Sequence, residues 1–219
     1  MKKWLPDILV LILIVLPLYY LANIYYLLPP VIPTHFGFSG KPNGYSDKQE
    51  IVWIAIFMSL LSGGSYLLIK NLHRIDPKKT SSFSSGNMQK IAISVVALLS
   101  AIMLSILYSS MHGSLSFSKF LNPLMGIFFI VVGNLMYNIK PNYFVGIRVP
   151  WTLESEDNWR ATHHMAAKLW FIGGIVITIL TLSLPLKIGE SIFMGCTLVL
   201  AFAPIIYSFV YFKKEKISS

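Results

Sequence analysis

The chain has 219 residues, 55% of them hydrophobic and 12% charged, and its 18 Lys and Arg exceed its 9 Asp and Glu for a net charge of +9. So apolar a composition, gathered into six long uncharged runs, excludes a soluble globular domain and makes the bilayer its main solvent. The positive excess is spread over short connections, not one face, and no nucleic-acid reading module stands out, so direct nucleic-acid binding is not expected.

The runs are Ile8 to Leu28, Ile51 to Ile69, Ile91 to Met111, Phe120 to Tyr137, Met165 to Leu184 and Ile192 to Phe212. Each approaches the ~20 residues that ~30 Å of hydrocarbon requires of a helix. Their length and lack of period-2 alternation predict an all-α integral membrane protein, a bundle of six transmembrane helices. With the N-terminus in the cytoplasm, fourteen Lys and Arg fall on the inner side and only Lys41, Lys48, Lys119 and Lys187 on the outer. This split predicts that both termini are cytoplasmic.

The first run follows Lys2 and Lys3 like the start of a signal peptide. It continues through Tyr19, Tyr20, Tyr25 and Tyr26 without a small-residue cleavage site, so it is expected to stay as the first helix. Pro17 should free a backbone carbonyl there, as Pro204 should in the sixth run. Residues 1–70 read as a two-helix unit around an outer segment, 29–50, which carries three early prolines and glycines at 37, 40 and 44. A short hairpin between Val31 to Phe36 and the Tyr45 region is expected, with its turn at Asn43-Gly44, as a compact outer cap.

Residues 71–90, rich in Ser and Lys with Pro77, read as a mobile cytoplasmic linker to a four-helix unit, 91–219. In the third run Ser94, Ala97, Ala101, Ser105, Tyr108 and His112 share a helical face. In the fourth, Asn122, Gly126, Gly133, Asn134 and Asn138 do so. These are either packing faces, where small residues let helices approach in lipid, or a polar cleft lined by Asn134 and Asn138. No ionisable residue lies in mid-run, which weighs against a pump. Cys196, the lone cysteine, has no partner for an internal disulfide.

The densest chemistry lies in the cytoplasmic motif 142–168, NYFVGIRVPWTLESEDNWRATHHMAAK. Pro150 disfavours helix at Val149, Thr152 or Ser155 suits an N-cap, and Glu156 and Asp157 suit a first helical turn. Helical spacing then stacks Trp159, His163 and Ala166 on one side and Arg160, His164 and Lys168 on an adjacent one. Trp151 and Trp159 are expected at headgroup depth. Arg148 is expected to pair with Glu154, Glu156 or Asp157 and so hold the turn against the next helix.

Lipid anchoring alone does not require the ordered string Gly146, Ile147, Arg148, Pro150, Trp151, Thr152, Leu153, followed by Glu156, Trp159 and Lys168. In these residues the chain resembles the bacterial SdpI-type immunity proteins, named for immunity to the sporulation delay toxin. The outer segment resembles the DUF1648-type domain often fused ahead of it, through Leu28-Pro29, Ile32-Pro33, His35-Phe36, Gly40, Pro42, Tyr45 and Lys48. The chain departs from the family pattern at Val149, at His164 in place of a common Arg, and at Ala166-Ala167 in place of frequent glycines.

The resemblance implies a multi-pass protein of the bacterial cytoplasmic membrane that protects its cell from a membrane-active peptide toxin. It also implies signalling, by holding a small cytoplasmic ArsR-type repressor at the membrane. Beyond lipids, the partners are then a peptide on the outer loop (His35, Phe36, Gly40, Tyr45, Lys48) and a protein on the inner motif (Gly146, Arg148, Pro150, Trp151, Thr152, Glu156, Trp159, Arg160, Lys168). No enzyme, cofactor or metal site is expected. His163 and His164 project about 100° apart, no HExxH spacing is present, and His35 lies across the membrane. The alternative is a transporter of a small solute, lipid or peptide, for which Asn134, Asn138, Ser105, Thr178 and Thr181 must face a common cavity.

Overall fold

The structure, a computed structural model, describes residues 4–37, 42–75, 85–112, 115–142 and 144–218; the side chains of 36, 73–75, 85, 115, 116 and 218 lie outside that description. Six long helices account for the six apolar runs: α1 (Leu5–Ile24), α2 (Glu50–Ile75), α3 (Ser85–His112), α4 (Leu115–Met136), α6 (Glu156–Ser183) and α7 (Leu186–Ser218). Each is long and apolar enough to cross a membrane. A 3-10 turn (Tyr25–Leu27) follows α1, and a five-residue helix α5 (Pro150–Glu154) precedes α6. Six crossings put the α1–α2 connection on the face opposite the α4–α6 connection, here the hairpin side and the motif side.

On the hairpin side, β1 (Val31–Phe36) pairs antiparallel with β2 (Pro42–Asp47), as the outer segment suggests. Asn43-Gly44, however, is not the turn: it sits inside β2. Gly44 answers a steric need instead: it pairs opposite His35 at a register shift, and a Cβ there would come within 2.9 Å of His35 Cβ. Gly40 lies outside the described residues. Ile32, fully buried, roots the hairpin in a cluster with Leu21, Ile24, Ile51, Ala55, Met103 and Leu107 from α1, α2 and α3.

The described parts of the expected linker, 71–75 and 85–90, are helical. Chain 71–75 continues α2 and 85–90 begins α3, while 76–84 lie outside the described residues. Burial explains the extension: Leu72 is buried, and Met88 packs with Ile91, Met136, Ile139 and Trp159 below the motif. A helix that has left the bilayer still has a protein face to cover. Helix α3 contributes to clusters at both ends and to a third with Val10 and Tyr66, so it joins the α1–α2 pair to the rest.

Small residues set the α4–α6 contact. A Cβ on Gly126 would lie 2.8 Å from the Gly174 carbonyl, and one on Gly133 would lie 2.7 Å from Phe171 N, so the two backbones touch. In lipid such contact is a main cohesive term. The packing reading therefore holds for Gly126 and Gly133, whereas Asn134 and Asn138 are exposed beside that seam.

The two mid-run prolines leave carbonyls that neighbouring helices satisfy. Pro17 cannot donate to Leu13 O, which instead accepts from Ser100 Oγ of α3 at 2.7 Å. Pro204 cannot donate to Leu200 O, which accepts from Trp170 Nε1 of α6 at 2.8 Å. Each proline thus becomes an interhelical joint.

Candidate functional site

Helices α6 and α7, with 28 and 33 residues, run to ~40 and ~50 Å and so exceed the hydrocarbon thickness. Their surplus turns stand together on the motif side, and the motif folds against them. Asn142 shapes the entry. Its Oδ1 accepts from Phe144 N at 2.8 Å and Val145 N at 2.7 Å, while its Nδ2 donates to Lys140 O at 3.0 Å and Val145 O at 2.8 Å. The chain then reaches Gly146 at φ 123°, the positive-φ glycine among the described residues.

Gly146 lies over α6, where a Cβ would overlap His163 Nε2 and stand 3.1 Å from the Trp159 ring. Ile147 N donates to His163 Nε2 at 3.0 Å. That nitrogen must therefore carry the lone pair, and His163 Nδ1 donates to Trp159 O at 2.8 Å. The imidazole is a neutral structural pin, stacked on Trp159 at 4.1 Å between centroids. Trp159 Nε1 closes the base by donating to Ile139 O at 2.8 Å.

Of the two N-cap candidates Ser155 takes the role, for α6, whereas Thr152 is the third residue of α5, whose N-cap is Val149. Val149 N donates to Thr152 Oγ1 at 3.1 Å, and Thr152 Oγ1 lies 2.9 Å from the carbonyls of Ile147 and Val149, all at the start of α5. Ser155 Oγ accepts from Asn158 N at 3.1 Å as the N-cap of α6. The third wall is α7: Trp151 Nε1 donates to Ser208 Oγ at 2.8 Å, Asn158 Nδ2 donates to Ser208 O at 3.0 Å, and Ser155 Oγ donates to Glu215 Oε1 at 2.9 Å. Trp151 also packs on Phe209 and Phe212.

Two expectations are corrected here. Trp159 is 1% exposed, so its indole faces the protein core, where its N–H reaches Ile139 O, and does not anchor in lipid headgroups. Arg148 is exposed and, among the described residues, pairs with none of Glu154, Glu156 and Asp157; Asp157 pairs with Arg160 at 2.9 Å, the local i, i+3 partner. The hub holds the turn through Gly146, Thr152 and His163. Pro150 is the exposed first residue of α5, and Glu156 and Lys168 are exposed on α6. Sequence reasoning placed no role on Asn142, Asn158 or Ser208. Asn142 carried a readable signal, an Asx residue ahead of a glycine turn.

Across the membrane the hairpin presents His35, bonded to Asn43, and Tyr45, 62% exposed. Lys48 lies 5.0 Å over the Tyr25 ring. The backbone of Phe36 pairs with Pro42 at the end of the ladder.

The residues that a transport path would need are separated. Thr178, Thr181 and Ser105 donate to carbonyls of their own helices at 2.7, 2.7 and 2.8 Å. Ser105 lines a groove with Tyr20, Tyr108 and Phe120, whereas Asn134 lines one between α4 and α6.

These features define a class, the multi-pass helical membrane protein with a small β-hairpin on one face and a polar–aromatic hub on the other. Residues 138–208 match the SdpI/YfhL protein family, and residues 12–60 match a domain of unknown function, DUF1648. Over these two stretches the chain is similar to the SdpI/YfhL family and to DUF1648, and it is a multi-pass protein of the bacterial cell membrane. It is 26% identical over 181 residues to "Immunity protein SdpI" of Bacillus subtilis (strain 168), a match covering 83% of this chain and 82% of that protein. No solved structure matches the chain. The SdpI match ends at Ser208, the α7 residue bonded by both Trp151 and Asn158, so it spans most of the hub.

Proposed function

We propose that this chain is an immunity protein that protects the cell carrying it from a membrane-active peptide toxin. The observation that carries this reading is the likeness to an immunity protein along 83% of the chain. In this reading both termini and the hub are cytoplasmic, in keeping with the fourteen-to-four split of Lys and Arg. The hairpin then faces outward, and His35, Phe36, Gly40, Tyr45 and Lys48 make the toxin-contacting surface. Residues 1–70 form the receiving unit and 91–219 the unit that carries the hub.

The exposed side of the hub, with Arg148, Pro150, Glu156, Arg160 and Lys168, is the surface for a cytoplasmic protein, an ArsR-type repressor in the signalling form of the proposal. Gly146, Trp151, Thr152 and Trp159 support that surface from behind. Helix α3 packs at both ends of the bundle, which supports communication between the two faces. The test is survival of toxin-sensitive cells with and without the chain, challenged with the sporulation delay toxin and a panel of other membrane-active bacterial peptides. Protection against at least one peptide is expected; protection against none would refute the proposal.

A further inference from the structure

We propose that the cleft between the end of α4 and the start of α6 is a binding site for an anionic phospholipid, which seats its headgroup in the cleft and an acyl chain in the groove below. The inference does not rest on the immunity reading.

The cleft holds about 550 Å³ and is lined by Asn138, Lys140, Glu156, Asp157, Arg160 and His164, with Tyr137 at its edge. Its Asp157 carboxylate is paired with Arg160. Lys140 and Arg160 in the cleft balance Glu156 and Asp157, and Lys168 in the adjoining groove adds a third cation, so the two spaces together carry one positive charge in excess, which favours an anion. Tyr137 and His164 stack at 4.1 Å, nearly parallel, and form the waist of the site.

Beyond that waist the lining changes character. Tyr137 also borders an apolar groove of about 260 Å³, made by Gly133, Ala167, Phe171 and Ile172 with Lys168 at its mouth. The groove exists because Gly133 lets the α4 and α6 backbones touch, leaving larger side chains to stand on either flank. A polar recess bordered by Lys140, Arg160 and Lys168 that continues as an apolar channel on a membrane-spanning surface has the two-part chemistry of a phospholipid. Basic pockets between transmembrane helices are known to hold such headgroups. A soluble phosphate would use the recess but leave the groove unfilled.

The test uses the full chain in phosphatidylcholine nanodiscs, with phosphatidylglycerol or phosphatidylethanolamine added in graded amounts. Retention of added lipid is read by mass spectrometry and thermal unfolding by tryptophan fluorescence. Phosphatidylglycerol should be retained and should raise the unfolding midpoint. The Lys140→Gln/Lys168→Gln variant should retain it roughly tenfold less, while Lys213→Gln/Lys214→Gln, on the same side but outside the cleft, should match the parent. Equal retention of phosphatidylethanolamine, an unaffected Lys140/Lys168 variant, or an equal midpoint shift with inorganic phosphate would each overturn the assignment.

Discussion

Gly146 and His163 are fitted to each other through the absence of a side chain. A Cβ at Gly146 would overlap His163 Nε2, and the next backbone N–H, from Ile147, donates to that same nitrogen at 3.0 Å. The φ of 123° at Gly146 is open to glycine and costly to other residues. Gly146→Ala should cost about 1–3 kcal/mol from backbone strain, and overpacking adds about as much. Because part of that penalty is the clash, His163→Ala should relieve it, so the double variant should be more stable than the sum of the singles predicts. Detergent melting curves for the four proteins check this, and strict additivity would refute the contact.

Trp159→Phe keeps most of the ring but leaves Ile139 O without its donor. A loss of about 1–3 kcal/mol is expected, the cost of a buried unpaired carbonyl. Trp151→Phe removes the bond to Ser208 Oγ at a half-exposed position and should cost less. A headgroup-anchor role for both indoles predicts similar, small effects, so the ratio of the two losses separates the accounts.

Pro204 and Trp170 make a second testable joint. Trp170→Phe should destabilise the parent by about 0.6 kcal/mol for the interhelical bond, beyond any packing change. In a Pro204→Ala background, residue 204 supplies its own N–H to Leu200 O, and that part of the loss should vanish. An identical cost in both backgrounds, measured by reversible unfolding in detergent, would show that the Trp170 bond does not compensate for the proline.

These elements differ in how far the sequence disclosed them. The six spans were legible because run length and the bilayer's thickness leave few alternatives. The two strands were legible as well, yet Asn43-Gly44 misled, since a glycine needed for close approach to His35 looks identical to one needed for a turn. Trp159 was misplaced because an indole near a membrane boundary suits either headgroups or a core; the deciding partner, Ile139 O, is 20 residues away. The stack of Trp159 with His163 followed from i, i+4 spacing, but the role of His163 did not, because it depends on a turn arriving from another segment. The Arg148 pairing failed to a nearer competitor, Arg160, which sits one helical turn from Asp157.

The proposed orientation, with both termini cytoplasmic, rests on the charge split and can be checked directly. With Cys196 replaced by Ser, cysteines at Asp47 and Glu154, both exposed, should differ in reaction with an impermeant thiol reagent. Position 47 should label in intact cells and position 154 only after permeabilisation. Labelling of 154 from outside would reverse the orientation.

Arg148 is exposed, so Arg148→Ala should leave membrane abundance unchanged. Within the signalling proposal it should abolish toxin-dependent reporter output, whereas replacing Lys213 should not. Output equal to the parent's would remove Arg148 from the partner surface.

The most direct test of the central claim is toxin survival of sensitive cells carrying the parent chain or its hairpin variants Tyr45→Ala and His35→Ala, at matched membrane abundance. The parent should protect, and the two variants together should reduce protection at least about tenfold, equivalent to about 1.4 kcal/mol of lost recognition. Full protection by the double variant at equal abundance would contradict a toxin-receiving role for the hairpin.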